Sequence, residues 1–287
     1  MKIIIIGTGN IGSAAIKAVQ AASDMELIGV FHHNEMEAIA RLPHVDVALL
    51  CLPTREAPIF AEQLNKMGIN TVDSFDIHTQ IADVRRQLMP IAQANHAVSI
   101  ISAGWDPGSD SMVRALLEVL TPEGQSYTNF GPGRSMGHTV AAKAIQGVKN
   151  ALSITLPLGQ GKHGRHVYIE LEDGYEFEDV RRRLLADDYF AHDETEVELV
   201  ADVEQYQTTA HGVLLERSGV AADRDDQQLK FEMRIDNPSL TAQFMVGCAR
   251  AAYRLQQQGQ YGCYTTIELA PVWMLPDDTE SNVRRLV

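Results

Sequence analysis

Gly7, Gly9 and Gly12 stand at the G-x-G-x-x-G spacing in Gly7-Thr8-Gly9-Asn10-Ile11-Gly12, directly behind the apolar run Ile3-Ile4-Ile5-Ile6. Such a segment can hold a pyrophosphate. The first glycine permits the tight turn out of a buried strand, the second lets backbone approach the phosphates, and the third lets helix pack closely on strand. The helix that follows offers unpaired N–H groups and the positive end of its dipole. A glycine-rich strand-to-helix turn in some other α/β protein would look similar, but the position and flanking pattern here favour a dinucleotide site. Cys51, Leu52, Pro53 and Thr54, behind a later apolar strand, are assigned to the same cofactor site.

The residue ending the second strand of a dinucleotide fold chooses the cofactor: an acid binds the ribose hydroxyls of NAD, and Arg accommodates the 2′-phosphate of NADP. Here that strand ends at Phe31-His32-His33-Asn34, with no acid in place. His32 and His33 can donate hydrogen bonds to a phosphate, whose field favours their protonated form. NADP is therefore expected, with NAD as the alternative. The competing account is two exposed loop histidines.

Two further segments carry charge at strand ends. Ser102-Ala103-Gly104-Trp105-Asp106-Pro107-Gly108 follows the fifth strand candidate, and Val72-Asp73-Ser74-Phe75-Asp76-Ile77-His78 follows the fourth. That edge is where doubly wound folds bind ligands. Asp76 and Asp106 can converge on an ammonium group, although Asp-Pro-Gly is also simply a good turn. Phe130-Gly131-Pro132-Gly133-Arg134-Ser135-Met136-Gly137-His138 is a glycine-rich loop whose backbone N–H groups can hold a carboxylate.

These residues need elements to position them. Strands are expected over Lys2–Ile6, Glu26–Phe31, Val45–Cys51, Ile69–Asp73 and Ala97–Ala103, with helices over Ile11–Ala22, Glu56–Met67 and Ile77–Ala94. Alternating strands and helices predict a Rossmann-type doubly wound parallel sheet. The link from Phe31 to Val45 has room for one small helix. Past Gly104, longer strands with little helix between them are expected over Ala151–Leu158, Arg165–Glu172, Thr195–Val203, His211–Ser218 and Gln228–Asp236. In the last, Leu229, Phe231, Met233 and Ile235 alternate with Lys230, Glu232, Arg234 and Asp236, the period of an antiparallel sheet with one wet face. Asn237-Pro238 then opens a helix as N-cap and N1, running to about Gln258. The expected domains are residues 1–106 with 237–287, which bind the dinucleotide, and residues 107–236, a mixed α/β domain for substrate binding and dimerisation.

The chain has 287 residues, 45% of them hydrophobic, and a formal net charge of −14. That charge argues against nucleic acid or an anionic membrane as partner. Cys51, Cys248 and Cys263 form no C-x-x-C pair, so neither a metal site nor a disulfide framework is expected. No apolar run is long enough to span a membrane, and a cytoplasmic protein is expected.

Taken together, GTGNIG, VDSFDIH, SAGWDPG, NFGPGRSMGH, SITLP, HGVLLER, FEMRIDNPSLTAQ and GCYTTIEL resemble the meso-diaminopimelate dehydrogenase family over nearly the whole chain. The likeness is nearest to its branch with relaxed substrate range, which also aminates simple 2-keto acids to D-amino acids. The resemblance implies that Asp106 and Asp76 flank the reacting D-amino centre and that Trp105 and Phe130 shape an apolar wall. It implies that backbone at Met136 and Gly137 holds the D-carboxylate, that Thr155, Arg165 and His211 hold the distal L-carboxylate, and that Asn237 is a further substrate contact. Simpler roles exist for each of the last four: a strand residue, a strand-entry cation, a loop histidine and a helix cap. The family commonly has Arg-Arg where this chain has His32-His33, and the segment after it is shortened here. Both departures fall on the adenosine side of the cofactor site.

The implied reaction is reversible NADP-dependent oxidative deamination of the D-centre of meso-2,6-diaminopimelate, giving L-2-amino-6-oxopimelate and ammonia. Asp106 is the preferred proton acceptor, and a homodimer is implied. The alternatives are a dihydrodipicolinate- or semialdehyde-type reductase of similar architecture, or a catalytically silent NADP(H)-binding sensor.

Overall fold

In a computed structural model the chain is described over residues 1–206 and 210–287, apart from the side chains of Met136, Gly137 and Ala210. Along its first part β1 (Lys2–Ile6), α1 (Asn10–Ala21), β2 (Glu26–Phe31), α2 (Met36–Ala40), β3 (Val47–Leu50), α3 (Ala57–Lys66), β4 (Asn70–Asp73), α4 (Ile81–Ala94) and β5 (Val98–Ile101) alternate, followed by α5 (Ser109–Leu120). All the neighbouring strand pairs among β1 to β5 are parallel.

A parallel sheet covered on both faces needs apolar side chains at successive positions. Ile3–Ile6 and Val47–Leu50 are accordingly buried throughout. Ile3, Ile5, Val47 and Leu49 pack on one face with Ala15 and Val19 of α1, while Ile4, Ile6, Ala48 and Leu50 pack on the other with Ala61 and Leu64 of α3 and Leu88 of α4. Each such isoleucine contributes roughly 2 kcal/mol through burial.

The single small helix between Phe31 and Val45 is α2. The third, fourth and fifth strands are shorter than expected, because their outer residues turn toward the loops. The helix expected from Ile77 begins instead as a 3-10 turn at His78–Gln80 before α4. β2 and β3 flank β1 on opposite sides. The strand order therefore reverses beside the Gly7 turn, and the crevice at such a reversal is where ligands of open α/β sheets bind.

β6 (Glu123–Phe130), β7 (Gly133–Arg134), α6 (Met136–Ala144), β8 (Val148–Gly159), β9 (Lys162–Leu171), α7 (Phe177–Ala186), β10 (Glu194–Leu199), β11 (Ala210–Ala221) and β12 (Arg224–Asp236) come next. They form two sheets, ordered β10-β9-β8-β7 and β12-β11-β6. The expectation of little helix here is corrected by α6 and α7. Parallel pairing of β9 with β10 requires a crossover, and α7 supplies it while burying Val180 and Leu184 against Val167 and Ile169. The strand expected to reach Val203 stops at Leu199, and Val203 begins a 3-10 turn. β12 pairs antiparallel with β11, and Lys230, Glu232, Arg234 and Asp236 are exposed. Its apolar face is only partly covered: Leu229, Met233 and Ile235 are half-buried and Phe231 is 37% exposed.

The chain then enters α8 (Asn237–Gln257), β13 (Gly262–Thr265) and α9 (Thr279–Leu286). β13 pairs in parallel with β5 and completes the sheet β13-β5-β4-β3-β1-β2. α8 buries Ala242, Met245, Val246 and Ala249 in the core that holds Ile3 and Ile5. Two compact units result: Met1–Ala115 with Asn237–Val287, and Leu116–Asp236. Among the described residues no helix is long and apolar enough to cross a membrane.

Candidate active site

The glycine turn is built by close backbone packing. Gly7 has φ +99°, and a Cβ placed on it would lie 2.2 Å from the Cys51 carbonyl oxygen. A Cβ on Gly12 would lie 2.1 Å from the Gly7 carbonyl oxygen. Both glycines are thus demanded by the protein itself. Gly9 is different: its φ of −65° suits any residue, and a Cβ there would meet nothing within 4 Å. Gly9 is exposed with Thr8 and Asn10 ahead of α1, whose first turn carries no acidic residue. An open cradle at a helix N-terminus, lined by backbone, fits a pyrophosphate. Ile11, just inside α1, is half-buried.

The neighbouring strand ends extend this crevice. The Cys51 N–H donates to the Ile6 carbonyl (2.8 Å), and burial pushes the Cys51 thiol up to about 12, so it lines the site without acting as a nucleophile. Leu52, Pro53 and Thr54 lead into α3, and the Thr54 hydroxyl accepts from the backbone N–H of Asp76 (3.0 Å). His32 and His33 are exposed just beyond β2. An acid does stand in that loop: the Glu35 carboxylate accepts from the backbone N–H of His32 (2.6 Å). Glu35 lies four residues past β2, where sequence spacing alone does not point to the turn. A shallow depression beside it is lined by His33, Asn34, Met36 and Arg41.

Asp76, Trp105, Asp106 and Asn237 line one cleft, with Ile11 and Ser74. Three chain segments meet there: the loop after β4, the loop after β5 and the start of α8. The Trp105–Asp106 loop is closed by backbone hydrogen bonds. The Gly104 N–H donates to the Pro107 carbonyl (3.1 Å) and the Ser109 N–H to the Gly104 carbonyl (3.1 Å). Gly108 has φ +149°, and a Cβ there would sit 1.8 Å from the Gly104 carbonyl oxygen. Asp76 is exposed in the cleft, whereas the Asp106 side chain is 8% exposed. Asn237 is the first residue of α8 rather than a residue ahead of it, and its Oδ1 accepts from the Thr241 hydroxyl (2.8 Å).

Two charged partners of Asp106 went unread in the sequence. The Arg114 guanidinium grips the Asp106 carboxylate with two bonds, Nη1 to Oδ1 at 2.7 Å and Nη2 to Oδ2 at 3.1 Å. Asp110, fully buried one helical turn before Arg114, lies 4.0 Å from the same guanidinium. Their four-residue spacing was visible, but α5 was not read as a helix, so its facing positions carried no meaning. Burial pushes the Asp110 carboxyl up to about 7, aided by the negative charge of Asp106 and opposed by Arg114 and Trp105. Burial likewise raises Asp73 to about 6, against the N–H groups of Phe75 and Ser102 that its carboxylate accepts from.

The Asp110 shift sets a stability trend. Its folded value lies above the ordinary 3.8, so the folded protein keeps a proton that the unfolded chain has released. Stability therefore falls as pH rises through the window from about 4 to about 7 and levels off above it. Asp110→Asn removes this contribution while Asp73 keeps its own. The variant is expected to lose less of its melting temperature between about pH 4 and pH 7 than the parent, by an amount on the order of several degrees. Parallel melts of both proteins check this, and equal slopes would refute it.

In the second unit, Thr155 of β8 stands opposite both Gly133 of β7 and Arg165 of β9. Arg165 lies within β9 and is only 8% exposed, so it is no strand-entry cation. Its Nη1 donates to Thr155 Oγ1, and its Nε to Asp193 Oδ2 at 2.8 Å. Met136 and Gly137 open α6 after Ser135, whose N–H donates to the Ser153 carbonyl (2.8 Å). The side chains of these two residues lie outside the described set. Phe130 ends β6, 41% exposed, and pairs with Val213 of β11, two residues beyond His211 on the same strand. Among the described residues no cluster of three or more His, Cys, Asp or Glu is arranged to hold a metal ion.

Comparison with known proteins gives concordant matches. The diaminopimelic acid dehydrogenase C-terminal domain family matches residues 104–161. The meso-diaminopimelate D-dehydrogenase of Bacteroides fragilis is 51% identical over 296 residues, covering 99% of this chain and 98% of that protein. A structure of C. glutamicum DAP dehydrogenase in complex with DAP superposes with a TM-score of 0.78 at 28% identity, covering 100% of this chain and 99% of that one. An engineered D-amino acid dehydrogenase bound to NADP+ gives a TM-score of 0.73 at 26% identity, with 100% and 99% covered.

Proposed function

The chain belongs to the meso-diaminopimelate D-dehydrogenase family, and from that premise we propose how its residues divide the work of NADP-dependent oxidative deamination at the D-centre of meso-2,6-diaminopimelate. The carrying observation is the meeting of Asp76, Trp105, Asp106 and Asn237 in one cleft beside the glycine turn. The products are L-2-amino-6-oxopimelate and ammonia; run in reverse, the reaction aminates a 2-keto acid, and simpler D-amino acids are within reach of the same chemistry.

Thr8, Gly9, Asn10 and Ile11 hold the pyrophosphate, with Gly7 and Gly12 shaping the turn and Cys51 to Thr54 lining the adjoining wall. His32 and His33 would hold the 2′-phosphate. Bound NADP+ would supply the hydride acceptor for the substrate Cα, and the protein supplies position and electrostatics. Asp76 and Asp106 attract the ammonium group at the D-centre, and Trp105 walls the apolar side of the cleft. Asp106 takes the amine proton directly or through water as the C–N double bond forms. Water adds to that bond and ammonia leaves. Arg114 keeps the Asp106 carboxylate aimed by bidentate pairing, the strong geometry for such contacts. Backbone N–H groups at Met136 and Gly137 take the D-carboxylate. Arg165, Thr155 and His211 take the distal L-carboxylate, Phe130 adds apolar wall, and Asn237 is a further contact.

Residues 1–106 with 237–287 serve as the dinucleotide-binding domain, and residues 107–236 bind substrate and dimerise. A homodimer is supported by the half-covered face of β12 and by Leu116, Val119 and Leu120, which are 56%, 77% and 51% exposed. A cytoplasmic setting suits three cysteines that are all free thiols.

Mixing the protein with meso-diaminopimelate and NADP+ is expected to generate reduced nicotinamide absorbance with release of ammonia. The L,L isomer, which lacks a D-centre, is expected to give none. No reduction of NADP+ or NAD+ at any pH would overturn the assignment.

A further inference from the structure

Arg165 is a buried cation with donors to spare. Its two side-chain bonds leave Nη2 without a partner among the described residues, although the residue is only 8% exposed. A guanidinium in that state keeps donor capacity open to an incoming acceptor. The end formed by Nη1 and Nη2 is the edge a carboxylate grips in bidentate fashion. What decides where that edge points is the bond on the other side, from Nε to Asp193.

We propose that Asp193 is the positioning residue for Arg165, and that it sets the recognition of the carboxylate remote from the reacting centre. The inference rests on the proposed function, in which Arg165 takes that carboxylate.

Asp193 is held firmly enough for this task. Its N–H donates to the Phe190 carbonyl (3.2 Å), and Phe190 is anchored in the core with Val167, Ile169 and Val180. Two residues on, Thr195 of β10 pairs with Arg165 itself in the parallel ladder. The Asp193 carboxylate also faces His138 Nε2 at 3.6 Å, and His138 Nδ1 is 2.9 Å from Ser135 Oγ. Phe190 and Tyr189 pack edge-on against the His138 ring, with centroids 5.5 Å apart in both pairs. A continuous polar chain thus runs from Ser135, at the head of α6, through His138 and Asp193 to Arg165 and Thr155. Asp193 balances the charge of the buried guanidinium and fixes its plane from the Nε side. Its hydrogen bond goes to Nε, which leaves the edge formed by Nη1 and Nη2 as the one a ligand carboxylate can approach. No pattern marked Asp193 in the sequence, where it is one acid among the run Asp187, Asp188, Asp193 and Glu194.

The test is a double-mutant cycle on meso-diaminopimelate oxidation with NADP+. Asp193→Ala is expected to raise the KM for meso-diaminopimelate roughly tenfold, the loss expected for one charge-assisted bond, with kcat little changed. Asp193→Asn keeps an oxygen that can accept from Nε and is expected to recover part of the loss, which also covers the case in which the alanine variant fails to fold. In an Arg165→Met background, Asp193→Ala is expected to change KM no further. An equal rise in both backgrounds, or a fall in kcat with KM unmoved, overturns the positioning role, as does an unchanged KM. A parent protein that does not turn over meso-diaminopimelate overturns the proposed function and the inference with it, so the two failures are told apart.

Discussion

Gly9→Ala is expected to weaken NADP+ binding at least about 100-fold, close to 3 kcal/mol, while leaving the melting temperature of the unliganded protein within a few degrees of the parent. Folding has no need of glycine at this position. The backbone angles are open to alanine, and the added methyl group would meet no protein atom within 4 Å. It would instead stand in open space at the head of α1, where the proposed function requires phosphate oxygens to come within hydrogen-bonding distance of backbone N–H groups. Gly12→Ala provides the contrast, since its methyl group would lie 2.1 Å from the Gly7 carbonyl oxygen and force the turn apart. Calorimetric titration with NADP+ and thermal melts of both variants separate the two effects. Normal NADP+ binding by the Gly9→Ala variant would show that the phosphates do not approach this residue.

Asp106→Asn is expected to lower kcat for meso-diaminopimelate by about 10²- to 10⁴-fold, the range associated with loss of a positioned acid–base group. The fold should survive the change. Arg114 would lose its bidentate partner, but Asp110 lies one helical turn away and 4.0 Å from the same guanidinium. Removing the Asp106 charge removes one of the influences that keep the Asp110 carboxyl protonated, so Asp110 can ionise and take over the pairing. Steady-state rates and far-UV circular dichroism on the same preparation provide the check. A variant with near-parental kcat would show that Asp106 only lines the cleft.

Legibility in the sequence followed the locality of each signal. The first sheet was readable because strands buried on both faces carry unbroken apolar runs, as in Ile3–Ile6. β13 was not, since Gly262-Cys263-Tyr264-Thr265 is too short and mixed to announce a strand, and only pairing with β5 makes it one. α7 hid for a related reason: Asp179 and Arg181 to Arg183 swamp the two buried positions, Val180 and Leu184, that hold the helix in place. β6 is polar along most of its length and owes its existence to the long ladder with β11.

The candidate site divides in the same way. Asp76, Trp105, Asp106 and Asn237 could be singled out because each sits in a short segment with its own turn or cap chemistry, and the resemblance tied those segments together. Arg114, Asp110 and Asp193 could not. Their roles come from what they touch, and those partners are eight, four and 28 residues away along the chain.

By itself the sequence determined the alternation of strands and helices, the glycine turn at the head of α1 and the two carboxylates at neighbouring strand ends. All of these depend on periodicity or on conformational preferences within a few residues. Only the tertiary structure decided why each glycine is there, which cation grips Asp106 and what aims Arg165. Such matters depend on distances between residues remote in sequence, and packing sets those distances. The glycine turn carries both kinds of information. Its spacing is written in six consecutive residues, yet the distinction between Gly12, required by the Gly7 carbonyl, and Gly9, open to a ligand, exists only once β1, β3 and α1 are packed together.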